Sequence, residues 1–107
     1  MTTYIFNVPV LPNYGCFDFQ GPLTIRAARA LVATGFRSAV GHAAAAELLS
    51  SILGVVVPVV RRKVKMRAGD EALILRLLGD RLPEGAILSA SEMLERGYAL
   101  GRLRRTR

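Results

Sequence analysis

The chain has 107 residues, 51% of them apolar and 21% charged, and its 15 Lys and Arg against 8 Asp and Glu leave a formal charge of +7. That length holds one core but not two, and the composition belongs to a folded domain rather than a disordered one. The cationic excess either keeps a basic protein in solution or meets an anionic partner, whether nucleic acid, a nucleotide or a phosphorylated surface.

One cysteine, Cys16, excludes an intrachain disulfide and fits a cytoplasmic setting. One Cys and one His without a carboxylate cluster lead us to expect no metal and no other cofactor. Met1-Thr2-Thr3 brings neither a basic start nor a long apolar core, so no signal peptide is expected. The most apolar stretch, Ala43 to Val60, is interrupted by Glu47, Ser50, Ser51, Gly54 and Pro58. A spanning helix takes ~20 clean apolar residues, so no membrane contact is expected.

In chain order, Thr3 to Val8 is β-branched and aromatic and predicts a first strand. Pro9, Pro12, Asn13 and Gly15 then predict a loop running to about Gly21. A loop at that place is a common source of ligand contacts. Leu23 to Ile25 predicts a short strand, and Ala27 to Ala33 a short helix closed by Gly35. Phe36 to Val40 leads into Gly41-His42, and a helix is predicted from Ala43 to Leu53, ending at Gly54. Val55 to Val60 reads as strand, with Pro58 marking an edge or a bulge.

Lys63 to Arg67 alternates cations with apolar side chains and predicts a half-exposed strand, with a hairpin turn at Ala68-Gly69-Asp70. Glu71 to Leu78 should be a central strand. After the turn-like Arg81 to Gly85, Ser89 or Ser91 caps a helix reaching about Leu100, with Gly97 as its weak point. Arg102 to Arg107 forms a basic tail or a terminal strand. The pattern is an α/β fold: one small domain over residues 1–107, a mixed central β-sheet flanked by helices.

The chemistry centres on His42, the only histidine. At the start of a helix it either caps the backbone or works beside free N–H groups that favour an anion such as phosphate. Arg81 and Glu84 supply a guanidinium and a carboxylate; the alternative for that pair is a surface ion pair. Arg61-Arg62-Lys63 is either a solvated charge run or a phosphate-binding edge. An imidazole, a guanidinium and a carboxylate suffice to cleave an RNA-type phosphodiester without metal. The ribose 2′-hydroxyl attacks its own phosphorus once held in line. A histidine near neutral pKa protonates the departing oxygen, and an arginine fork takes the growing charge. A carboxylate orients the imidazole or helps the hydroxyl lose its proton.

Gly41-His42 with Glu47 to Gly54, Lys63 to Met66, Gly69 to Ile74, Asp80 to Ser89 and Glu92-Met93, in that order and spacing, resembles the viral type III anti-CRISPR ring nucleases and their CRISPR-associated relatives. The resemblance covers nearly the whole chain and is strongest from Ala39 to Met93. It implies a homodimer that binds cyclic tetra-adenylate and cuts it, without metal, to linear di-adenylate with 2′,3′-cyclic phosphate ends. Such an enzyme would switch off antiviral type III CRISPR signalling, in the host cytoplasm if viral. His42 matches the family's general acid, and Arg81 and Glu84 its phosphate-stabilising arginine and active-site glutamate. Asn7, Gly41 and Lys63 fall at ligand-contacting positions.

Departures from the family pattern are Ala43-Ala44-Ala45 where relatives often have Asp-Ser-Thr, Val10 or Leu11 near a serine position, Leu77 for a polar residue near the ring, and Asp80 for a glutamine. These put the ligand contacts and the preferred ring size in question while keeping the chemistry. Two other readings compete: a cyclic oligoadenylate sponge or sensor without turnover, and a basic viral nucleic-acid-binding protein. Few aromatics sit on predicted strands, which argues against base stacking, and no stable complex with duplex nucleic acid is expected.

Overall fold

A computed structural model of the protein describes residues 1–79 and 87–107. Its elements are β1 (Thr3–Phe6), β2 (Phe17–Gln20), α1 (Ile25–Val32), β3 (Arg37–Ser38), α2 (Ala43–Leu53), β4 (Glu71–Leu77), α3 (Ala90–Arg96) and β5 (Tyr98–Arg105). The strands form a mixed sheet in the order β2-β5-β4-β1-β3. β1 runs parallel to both neighbours, β3 and β4, while β5 is antiparallel to β4 and β2.

Alternation along the central strands divides the core. Ile5, Leu73, Leu75 and Leu100 point to one face, where Ala28 and Val32 of α1, Leu48, Leu49 and Ile52 of α2 and Met93 of α3 pack on them. Phe6, Ala72, Ile74 and Leu103 point to the other, which no residue of the three helices joins. A period-2 strand buried on both sides needs apolar side chains at successive positions, and Ala72-Leu73-Ile74-Leu75 supplies them. The helices therefore flank one face of the sheet rather than both.

The second face is covered in part by the segment between α2 and β4. Val57 packs with the helix-side core, whereas Val64 and Met66 pack with the opposite one. Between them the Ser38 Oγ donates to Pro58 O at 2.6 Å, and Val60 N donates to Val40 O at 3.0 Å, along the outer edge of β3. The segment wraps round the sheet edge instead of adding strands to it. This corrects the strands predicted at Val55–Val60 and Lys63–Arg67, and with them the hairpin. Its alternating apolar residues are real, but they bury in two different cores, and Pro58 has no N–H to offer a ladder.

Leu23 to Ile25 is also not a strand. Thr24 is the N-cap of α1, its hydroxyl accepting from Ala27 N at 3.0 Å. β2 lies inside the predicted loop, and the last helix stops at Arg96, where Gly97 adopts φ 95° and lets β5 begin. Ser89 caps α3 with a full capping box to Glu92. α2 matches its expected span, and Gly54 closes it at φ 71°.

Leu73 is fully buried in the strand that carries both cores. Leu73→Ala should lower unfolding free energy by about 2–5 kcal/mol, against about 1 kcal/mol for loss of the exposed cap in Ser89→Ala. Urea titration of both variants checks the order; equal losses would contradict this placement of the core.

Candidate functional site

Because β1, β3 and β4 are parallel, their carboxyl ends lie on one rim of the sheet. The chain leaves β1 for β2 at one edge of the sheet, passes through α1 to β3 at the other edge, and returns through α2 to β4 beside β1. The rim outside the carboxyl ends of the strands is the usual ligand position in open α/β sheets. Here the ends of β1 and β4 and the start of α2 meet on that rim. Asn7 and Val8, just past β1, Leu75 and Leu77, at the end of β4, and His42, opening α2, line one cavity of about 170 Å³ there.

His42 occupies the N-cap position with extended backbone (φ −128°, ψ 124°), but its side chain makes no cap hydrogen bond. Only its carbonyl serves the helix, accepting from Ala46 N at 3.0 Å. Of the two sequence expectations, side-chain capping is thus set aside. The first N–H groups of α2 donate no bond to the imidazole and are a place for an anion. The imidazole is half-buried, and among the described residues its buried Nδ1 has no hydrogen-bond partner. A buried unsatisfied nitrogen costs about 1–3 kcal/mol, which a purely structural side chain would avoid.

Gly41, just before it, is held at both ends of its backbone. Its N–H donates to Asn7 Oδ1 at 3.5 Å, a long bond, and its carbonyl accepts from Arg61 Nε at 3.0 Å. A second cavity of about 500 Å³ adjoins the first, sharing Asn7 and Val8. Val10 and Leu11 of the first loop form one wall, and Arg62, Lys63 and Lys65 the other. All three cations are exposed. A third, purely apolar groove of about 290 Å³ lies on the open sheet face between the loop and Phe17, Phe19 and Leu103. It offers no titratable group.

The structure thus brings Asn7, His42 and Leu77 together at one cavity, with Gly41 behind His42 and held to Asn7, and Val10, Leu11 and Lys63 together at the next. Arg81 and Glu84 lie outside the described residues. Among the described residues no group of three or more His, Cys, Asp and Glu is assembled that could hold a metal ion, and no helix is long and apolar enough to cross a membrane. Two positions went unread in the sequence. Arg61 passed as one of a run of cations, and its contact with Gly41 spans twenty residues. Asn13 passed as a loop breaker. Its carboxamide in fact pairs with the Met66 backbone in both directions, accepting from Met66 N at 2.9 Å and donating to Met66 O at 3.2 Å. That clasp fixes the loop wall of the basic cavity against the cationic wall. A Pro-Asn dipeptide signals a turn but not the partner of its side chain.

Comparison with known proteins gives consistent results. The sequence pattern of the family described as STIV B116-like matches residues 3–100. The chain is 36% identical over 100 residues to protein 26 of Sulfolobus islandicus filamentous virus, covering 89% of the chain and 84% of that relative. It is 48% identical over 60 residues to ORF117 of Acidianus two-tailed virus, where the match takes in 56% of the chain and spans only half of that relative's length. The solved structure of B116 of Sulfolobus turreted icosahedral virus superimposes with a TM-score of 0.71 at 21% identity, over 98% of this chain and all of the other. At that identity the superposition speaks for the fold alone.

Asn13→Ala should leave the sheet intact and free the Met66 amide, raising its hydrogen-exchange rate by roughly the 5- to 10-fold that loss of a bond of about 1 kcal/mol implies. Unchanged exchange at Met66 would show that other contacts hold the wall.

Proposed function

The chain belongs to the STIV B116-like family, and we propose that within this viral family it acts as a metal-independent ring nuclease cutting cyclic tetra-adenylate. The observation that carries the reading is His42: an imidazole at a helix N-terminus, not spent on capping, on the rim at the carboxyl ends of β1 and β4, beside a cavity walled by cations. The ring-nuclease resemblance of the sequence supplies the substrate class.

In the proposed reaction a ribose 2′-oxygen forms a bond to phosphorus as the bond to the 5′-oxygen breaks. His42 gives its proton to that leaving oxygen. Arg81 takes the charge growing on the non-bridging oxygens, aided by the first amides of α2. Glu84 orients the imidazole or receives the proton of the 2′-hydroxyl. Leu77 and Leu88, which bracket the stretch containing Arg81 and Glu84, both line the His42 cavity, and this supports their assignment to the site. Asn7 and Gly41 contact the ring, and Lys63 attracts its phosphates from the adjoining cavity. A ring with two equivalent scissile bonds asks for two equivalent sites, so the working unit of the proposal is a twofold homodimer. The place of action is the host cytoplasm, where the product would no longer sustain type III CRISPR signalling.

The test uses the unaltered protein with cyclic tri-, tetra- and hexa-adenylate in excess EDTA, products being identified by mass spectrometry. The tetramer should be cut fastest, giving di-adenylate with a 2′,3′-cyclic phosphate, since the ribose's own hydroxyl is the nucleophile and no water enters that step. A requirement for a divalent metal would refute the mechanism, and tight binding without cleavage would make the protein a sponge. Steep salt-dependent binding of ordinary single or double strands instead would make it a nucleic-acid-binding protein.

His42→Ala should slow single-turnover cleavage by ~10²–10⁴-fold, the usual loss on removing a general acid, with ligand affinity largely kept. Cleavage at the parent rate would end the histidine assignment.

A further inference from the structure

We propose that Arg61 is a positioning residue for His42, acting through the peptide of Gly41. The catalytic consequence rests on the ring-nuclease reading; the positioning itself does not. The Arg61 guanidinium donates from Nε to Gly41 O at 3.0 Å, and Gly41 is bonded directly to His42. On the other side of the same residue, Gly41 N–H reaches Asn7 Oδ1. The residue that aims His42 is therefore clamped between a side chain from the end of β1 and one from the wrapping segment.

The arginine stem is also close. A Cβ built on Gly41 would meet Arg61 Cγ at 3.2 Å, tighter than ordinary van der Waals contact, so the glycine leaves room for the arginine to lie across the backbone. Arg61 is exposed. A solvated cation with no task would gain little from being fixed there, since ordering a long side chain costs about 1.5–2 kcal/mol of rotamer freedom. A hydrogen bond from a charged donor offsets that cost.

The other clamp supports the same function. Neither Asn7 nor Arg61 touches the imidazole through a hydrogen bond; both act on the backbone before it. Among the described residues the His42 side chain makes no cap hydrogen bond, and its Nδ1 has no partner. Where the Gly41–His42 backbone enters α2 sets the point from which the ring reaches the cavity. Small misplacement of a reacting group is expensive in rate, up to ~10²-fold for about 1 Å. Arg61 therefore matters to the proton transfer by fixing the backbone from which the donor projects.

His42 is the only histidine, so its imidazole resonances are read without ambiguity by NMR of the intact protein. Arg61→Met keeps most of the stem and removes the donor and the charge. Arg62→Met removes a charge one residue away, from a side chain that makes no such bond, and serves as the control. Thermal denaturation and the amide spectrum show whether each variant is folded. We expect folded Arg61→Met to shift the His42 ring signals and those of Gly41, and Arg62→Met to leave them near the parent's. Single-turnover cleavage of cyclic tetra-adenylate should fall by roughly 10-fold in Arg61→Met, with the dissociation constant changing less than the rate. Should Arg61→Met fail to fold, Arg61→Leu, which also lacks the donor and the charge, takes its place in the same comparison.

His42 signals that stay put in the folded variant, or that move equally in Arg62→Met, would overturn the positioning role. An affinity loss with an unchanged single-turnover rate would also overturn it, making Arg61 a ligand contact. If the parent cleaves no ring at all, the ring-nuclease reading fails while the NMR comparison still decides the role of Arg61.

Discussion

Everything at the rim of this molecule depends on the parallel pairing of β1 between β3 and β4. β1 is only four residues long, yet it joins the two strands whose ends carry the site. Parallel neighbours bring three carboxyl termini to one edge, and the loop after each begins there. Asn7, Gly41-His42 and Leu77 are far apart in the chain, and this pairing makes them neighbours. Antiparallel placement of any one strand would send its share of the site to the opposite rim. Ile5 and Phe6, buried in different cores, fix the register. A slip of one residue would exchange their faces.

The second constraint is the segment from Gly54 to Asp70, which closes the sheet edge without joining it. Ser38 holds Pro58, Val40 holds Val60, Arg61 holds Gly41, and Asn13 holds Met66. These contacts tether a stretch whose backbone has no ladder of its own. They also fix in place Arg61, Arg62, Lys63 and Lys65, like charges that repel one another. Repulsion between exposed charges is modest, about 1 kcal/mol for a pair at 4 Å in water, and packing of Val64 and Met66 on the sheet outweighs it. An anion beside them would relieve it.

How much of this was legible depended on whether the signal was local. α2 was read correctly because its periodic apolar face, its glycine stop and its entry at Gly41-His42 all lie within one stretch. β4 was read because continuous burial leaves a continuous apolar run. The wrapping segment was misread for a physical reason: alternate burial is what a strand pattern reports, and a chain passing over two faces in turn produces the same pattern. β2 was missed because it is an edge strand with three of its four residues exposed and sits between loop-forming glycines and prolines. For the site, His42, Asn7 and Leu77, each legible in the sequence, meet at one cavity, Gly41 stands behind His42, and Lys63 falls on the neighbouring wall. The clasps made by Arg61 and Asn13 bridge twenty and fifty-three residues, and no local pattern encodes them.

The dimensions of the two cavities decide how the site must share its work. Pockets that enclose a small-molecule ligand generally measure ~300–1,000 Å³. The space at His42, about 170 Å³ and mostly apolar, lies below that range, whereas the basic one, about 500 Å³, lies within it. On the proposed reading, the first takes only the reacting phosphodiester and the second takes the bulk of the nucleotide. Apolar walls around a reacting phosphate strengthen each charged contact made to it. Leu77 and Val8 therefore suit the smaller space. The larger one is lined by Val10 and Leu11, by the exposed Arg62, Lys63 and Lys65, and by the carboxamides of Asn7 and Asn13, the latter engaged with the Met66 backbone. The cations draw phosphate without reading a base. On the same reading, discrimination among rings falls to Asn7 and to the geometry between the two cavities, both of which Asn7 and Val8 line.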